Sequence, residues 1–152
     1  MNGKKYADLV AAYIATRFRT RNIQVYREVP LGTSILGRPR RIDVMVSDPT
    51  SNRALAVECK FQKTQGTADE KIPYALQDIG ALRMPGCIAY AGDGFSEGIL
   101  HLLQASELAA YCLPDPEDLS SCSETWELDH VLAVTFRWWD VFIGRKKPVR
   151  PD

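Results

Sequence analysis

Two short apolar stretches of this 152-residue chain carry charge where a strand interior should carry none. Asp43 lies inside RRIDVMV (40–46), and Glu58 and Lys60 lie inside ALAVECKF (54–61). Strands are depleted in Asp, Glu and Lys, because a charge taken from water needs a partner to offset its lost hydration. Between the stretches, Asp48, Pro49, Thr50, Ser51 and Asn52 are dense in turn formers. Residues 41–47 and 54–61 therefore read as an antiparallel hairpin. Side chains alternate across a strand, so Glu58 and Lys60 share one face while Val57, Cys59 and Phe61 take the other. Asp43 faces away from Ile42 and Val44. In a suitable register Asp43, Glu58 and Lys60 converge. The competing reading is a salt-bridged edge strand with Glu58 and Lys60 in water. An acid-x-Lys triplet arises about once in 150 residues by composition alone. The weight lies in its position, mid-strand and 15 residues after an equally misplaced Asp.

The rest of the chain supplies an α/β frame. Tyr6, Leu9, Val10, Tyr13, Ile14 and Phe18 recur at helical spacing and predict a helix over 4–18. Residues 23–29 alternate as a half-buried strand, and Pro30, Gly32 and Gly37 mark a long turn after it. Gly66 and Thr67 close a short loop. A second helix is predicted over 69–83, with Pro73 in its first turn and Pro85-Gly86 stopping it. Residues 87–91 read as a buried strand, and a third helix begins near Ser96. The stretch 106–126 yields no assignment. Residues 127–143 place Leu128, Val131, Leu132, Trp138, Trp139 and Phe142 on one helical face, with a strand through 131–136 as the alternative. The expected fold is a mixed central β-sheet flanked by α-helices, in one domain over 1–152. Its core spans about 4–95, followed by a helical region and a basic tail over 96–152.

Bulk properties narrow the function. The formal net charge is zero, but residues 1–63 carry 12 Lys/Arg against 5 Asp/Glu, and residues 64–152 carry 7 against 14. A basic surface can exist on such a chain. Cys59, Cys87, Cys112 and Cys122 show neither CxxC nor Cys/His spacing, so free thiols are expected rather than zinc or disulfides. No apolar run reaches the ~20 residues that span a bilayer. The first helix is interrupted by Asp8, Tyr13 and Arg17, unlike a secretion signal, so a cytoplasmic location is expected.

Two carboxylates and one backbone carbonyl are the hard oxygen donors that Mg²⁺ or Mn²⁺ prefers. Asp43, Glu58 and the Cys59 carbonyl offer that set. Lys60 adds positive charge where a phosphodiester under attack develops negative charge. The adjacent carboxylates favour its protonated form, which argues against a role as a free base.

Asp43, a 14-residue gap, then Glu58-Cys59-Lys60 resembles the PD-(D/E)XK, or restriction-endonuclease-like, nuclease superfamily. The likeness covers roughly residues 4–95. The run VECKFQKTQGTADEKIPYAL (57–76) resembles a block in small prokaryotic and phage members. The resemblance implies a Mg²⁺- or Mn²⁺-dependent nuclease fold, with metal roles on Asp43 and Glu58 and a catalytic role on Lys60. Ile42 stands where the motif name has proline. Many relatives carry a first-helix glutamate that reaches the metal; here the candidate is the shorter Asp8. The Gln and Tyr that recombination-type relatives carry in the second helix occur in reverse order, as Tyr74 and Gln77.

Arg38, Arg40 and Arg41, before the Asp43 strand, and Gln62 and Lys63, after the Glu58 strand, are candidate phosphate contacts. Lys71 and Tyr74 are assigned to helix surface and core, and His101 and His130 to structure. Trp126, Trp138 and Trp139 are assigned to core or dimer contacts rather than base stacking. The leading reading is a metal-dependent DNA endonuclease, with a homodimer as the simple route to a double-strand break. The alternatives are a non-catalytic nucleic-acid-binding module on the same fold, and a nuclease acting on RNA or branched DNA.

Overall fold

The computed structural model describes residues 1–65 and 67–152. Five strands form one sheet in the order β1-β2-β3-β4-β5: β1 (Gln24–Thr33), β2 (Pro39–Asp48), β3 (Arg53–Phe61), β4 (Gly86–Ala91) and β5 (Ala109–Tyr111). β1, β2 and β3 pair antiparallel, and β3, β4 and β5 pair parallel. The helices are α1 (Gly3–Arg17), α2 (Lys71–Gly80), α3 (Glu97–Ala105), α4 (Trp126–Phe136) and α5 (Asp140–Ile143). The predicted mixed sheet with flanking helices is the observed architecture.

Asn2 starts α1 by accepting the Lys5 amide at 2.9 Å, a cap that contributes about 1 kcal/mol. The apolar stripe read from the sequence is the buried one. Tyr6, Val10, Tyr13, Ile14 and Phe18 pack with Val44, Val46, Leu55, Val57 and Cys59 of the sheet, and Leu128, Leu132 and Phe136 of α4 close the same layer. On the other face Ile88 meets Ala75 and Ile79 of α2, while Tyr90 meets Ile72, Phe95 and Leu103. Glu58 and Lys60 stand in register with Ile88 and Tyr90 and so share that second face.

Several boundaries differ from expectation. β1 runs on through Pro30 to Thr33, which an edge strand tolerates because its outer N–H positions lack partners anyway. The second helix is shorter: a 3-10 turn (Thr67–Glu70) precedes α2, and Ala81 caps its end. The loop expected at Gly66 and Thr67 falls partly on Gly66, which lies outside the described residues. The unassigned stretch 106–126 supplies β5, whose three residues alone carry too little periodicity to be read. The long helix expected over 127–143 is two helices, and the strand alternative is absent. Arg137 takes a left-handed φ of 62°, and the turn swings Trp138 inward, to 8% exposure, between Phe18 and Phe136 at ring distances of 5.0 and 5.1 Å. Trp138 thus joins the core, whereas Trp126 and Trp139 stay more than half exposed. All four cysteines are free.

Candidate functional site

The last rung of the β2–β3 ladder is Val44 opposite Val57. Beyond it the strands part. Ile42 and Arg41 remain paired with Val29 and Pro30 of β1, while Glu58 to Phe61 pair only with β4. A fork of this kind strands backbone N–H groups, which must find other acceptors. Asp43 and Glu58, directly opposite each other at its base, supply them. The Asp43 amide donates to Glu58 Oε1 at 3.1 Å, and the Cys59 amide donates to Asp43 Oδ2 at 2.8 Å. This exchange holds the two carboxylates side by side. Among the described residues nothing hydrogen-bonds to Asp43 Oδ1 or Glu58 Oε2, and Lys60 Nζ has no ion pair.

The electrostatics follow from this crowding. Burial, reinforced by the Asp43 charge, pushes the Glu58 carboxyl up to about 7, against the pull of Lys60 and the Asp43 amide. Like charges in a half-buried fork resist ionisation, and a bound cation would reverse that cost. The donor chemistry of the two carboxylates therefore fits a hard divalent ion. Among the described residues no three His, Cys, Asp or Glu side chains form a ready-made cage, so the fit rests on the two carboxylates.

The other predicted residues divide. Arg38, Arg41 and Lys63 are exposed, free of ion pairs among the described residues. Arg40 is engaged internally: its guanidinium meets the Asp78 carboxylate of α2 through two bonds, of 2.7 and 3.0 Å, and also reaches the Leu31 carbonyl. Hydrogen bonding to Asp78 raises the Arg40 pKa, with Tyr74 and Glu58 adding to it, so the pair borders the site. Gln62 is only 5% exposed; its amide donates to the Gly94 carbonyl at 2.8 Å and to Asp69 Oδ1 at 3.3 Å. Its Oε1 is buried without a partner among the described residues. Arg40 and Gln62 thus spend their donors within the protein. Asp8 is bound to Arg27 at 2.9 Å, and a second arm of that guanidinium donates to the Asp43 carbonyl. Asp8 stands one residue removed from the site.

Arg27 and Asp78 are absent from the sequence-derived set. Arg27 did leave a signal, since it shares the inward phase of β1 with Val25 and Val29 and is a misplaced charge of the same kind as Asp43. Asp78 left none, because a polar residue beside a helical stripe is ordinary. Removing Arg40 should leave Asp78 without its partner: Arg40→Ala is expected to cost about 2 kcal/mol in urea unfolding, with an unchanged m-value. A cost below ~0.5 kcal/mol would show the pair to be incidental.

A family model described as a PD-(D/E)XK nuclease superfamily domain matches residues 2–139. The chain belongs to that superfamily. Neither the curated proteins nor the solved structures compared with the chain gave a match. The superfamily match runs past residue 95, where the expected core ended, and takes in β5 and α4. α4 packs against β3 of the fork, and β5 extends the sheet beyond β4. Membership in the PD-(D/E)XK superfamily makes nucleic acid the substrate class, and its nucleases generally use divalent metal ions. Among the described residues no helix is long and apolar enough to cross a membrane.

Proposed function

We propose that this PD-(D/E)XK protein is a divalent-metal-dependent endonuclease acting on DNA, with Asp43, Glu58 and the Cys59 carbonyl as metal ligands and Lys60 as the catalytic cation. The observation that carries this reading is the strand fork. It places two carboxylates opposite each other and raises the pKa of Glu58, and Lys60 stands on the same face one alternation on.

When bound, Mg²⁺ or Mn²⁺ would supply Lewis-acid polarisation of a phosphoryl oxygen and acidify a water. The chain does the rest. Asp43 and Glu58 fix where that charge sits. Lys60 sets an ammonium against the negative charge that grows on the phosphate and orients the attacking water. Arg27 steadies Asp43 by its carbonyl and holds Asp8 aside. Arg38, Arg41 and Lys63 contact the phosphate backbone. One site per chain cuts one strand, and two copies acting together would cut both.

The test is incubation of purified protein with supercoiled plasmid and Mg²⁺ or Mn²⁺. Nicked circles are expected with either ion and none in EDTA. Nicking that persists in EDTA would remove the metal from the reaction. Binding without any cutting would favour a non-catalytic module. In 50–200 mM salt, DNA affinity should fall steeply, and replacing Arg38, Arg41 or Lys63 with Ala should reduce the log–log slope by about 1 each. An unaltered slope in all three variants would move the contact surface elsewhere.

A further inference from the structure

The β1–β2 hairpin turns at Ser34–Gly37 and carries two aliphatic side chains at its tip. Ile35 is 45% exposed and Leu36 65% exposed. Arg38 and Arg41, also exposed, follow on the returning strand. A single exposed leucine is commonplace; the way this tip is held is not. The Ile35 amide donates to Asp78 Oδ1 at 3.0 Å, and Arg40, just past the turn, clamps the same carboxylate. Within the turn Gly37 donates to the Ser34 carbonyl at 2.9 Å and Ser34 to the Arg38 carbonyl at 2.8 Å, with Gly37 at φ 77°. The apolar tip is therefore fixed against α2 instead of swinging free.

Beneath it lies a cleft of about 530 Å³, between the hairpin and the connection from α2 to β4. Leu31, Leu82 and Met84 line it with apolar surface, and Ser34 and Arg83 stand among its polar groups. No aromatic ring lines it. Pockets of ~300–1,000 Å³ hold small-molecule ligands. The cleft is tied to the candidate site by strand β2, since Arg40 in its wall precedes Asp43 by three residues, about 10 Å along an extended chain.

We propose that the hairpin tip and this cleft form a site for an unstacked nucleobase of the bound nucleic acid. Leu36 enters the stack as a wedge, Arg38 and Arg41 on the returning strand hold the adjacent phosphates, and the displaced base lodges between Leu31, Leu82 and Met84. Apolar wedges flanked by cations are a recurrent means of unstacking a base step, and an extruded base needs a lined receptacle. The site deepens the nuclease reading and rests on it. It makes DNA with an unpaired or easily unstacked base the preferred substrate.

The test uses the 152-residue Glu58→Gln protein and a fluorescein-labelled duplex with one bulged 2-aminopurine. Anisotropy should report binding. The 2-aminopurine fluorescence should rise several-fold at saturation, because the base leaves the stack for a cleft without aromatic quenchers. Leu36→Ser, at an exposed position, and Ala81→Phe, which fills the cleft wall, should each remove at least half of the rise. Arg38→Ala should weaken binding and leave the rise at saturation intact. Free 2-aminopurine deoxynucleotide should not bind at millimolar concentration, and if it did, the cleft would be a nucleotide pocket and the proposal would fall. Saturating anisotropy with flat fluorescence, or a rise untouched by both variants, would overturn the base site alone. No anisotropy change at all would take the nuclease reading down with it.

Discussion

Lys60→Ala is expected to lower the plasmid-nicking rate by about 10²–10³-fold, roughly 3–4 kcal/mol of transition-state stabilisation. The reason is local. Lys60 has no ion pair among the described residues and shares the Glu58 face, so its charge is uncommitted in the protein alone and would be spent on the reacting phosphate. The same fact predicts that folding is almost unaffected, since no internal bond is lost. Glu58→Ala should be at least as damaging to nicking, because it removes a proposed metal ligand as well as the acceptor of the Asp43 amide. Lys60 and Glu58 should be distinguishable by metal titration. Lys60→Ala should keep its Mn²⁺ affinity within a few-fold of wild type, and Glu58→Ala should lose it. If Lys60→Ala nicks at the wild-type rate, the ammonium has no part in the chemistry.

Glu58→Gln should stabilise the metal-free protein at pH 8 by up to about 3 kcal/mol while abolishing activity. The sign follows from the raised pKa. Burial and the Asp43 charge lift Glu58 from 4.5 to about 7, so the folded state holds this proton more tightly than the unfolded chain. Below pH 4.5 the carboxyl is neutral in both states and costs nothing. As pH rises from 4.5 to about 7 the unfolded chain releases the proton first, and stability drains away until the folded group has ionised as well. Gln keeps an oxygen for the Asp43 amide and never ionises. The difference between variant and wild type should therefore be near zero at pH 4, grow through that window and level off above pH 7. Denaturant unfolding at several pH values, in EDTA, measures it. Mn²⁺ should then restore wild-type stability at pH 8 and leave Glu58→Gln unchanged. Parallel pH profiles for the two proteins would mean that the fork does not penalise the charge.

The opposite signs are diagnostic. A structural carboxylate makes its protein more stable and its loss is harmful throughout. A carboxylate kept for a ligand is a local liability until the ligand arrives. Arg40 and Asp78 show the first behaviour beside the same fork, since their mutual hydrogen bonds hold the Asp78 carboxyl below the usual range. The contrast separates two kinds of misplaced charge that look alike in a sequence.

The period-2 pattern of residues 41–47 and 54–61, with charge at Asp43, Glu58 and Lys60, was enough to read the hairpin and the shared face, and the superfamily was legible as a motif resemblance. Side-chain alternation is a local property, and local properties survive in a one-dimensional string. The α1 stripe and the boundaries of β4 were legible for the same reason. Tertiary packing decided the rest. That β2 and β3 part just after Val44 and Val57 depends on β1 and β4 claiming their outer edges, which no nearby residue announces. The break at Arg137 is set by Trp138 finding Phe18, more than a hundred residues away in the chain. The inward fates of Arg40 and Gln62 depend on partners contributed by α2 and by the β4–α3 loop. Long-range pairing chooses which charged groups meet each other and which remain for a ligand, and that choice separates a basic cluster in a sequence from a surface that can meet a phosphate.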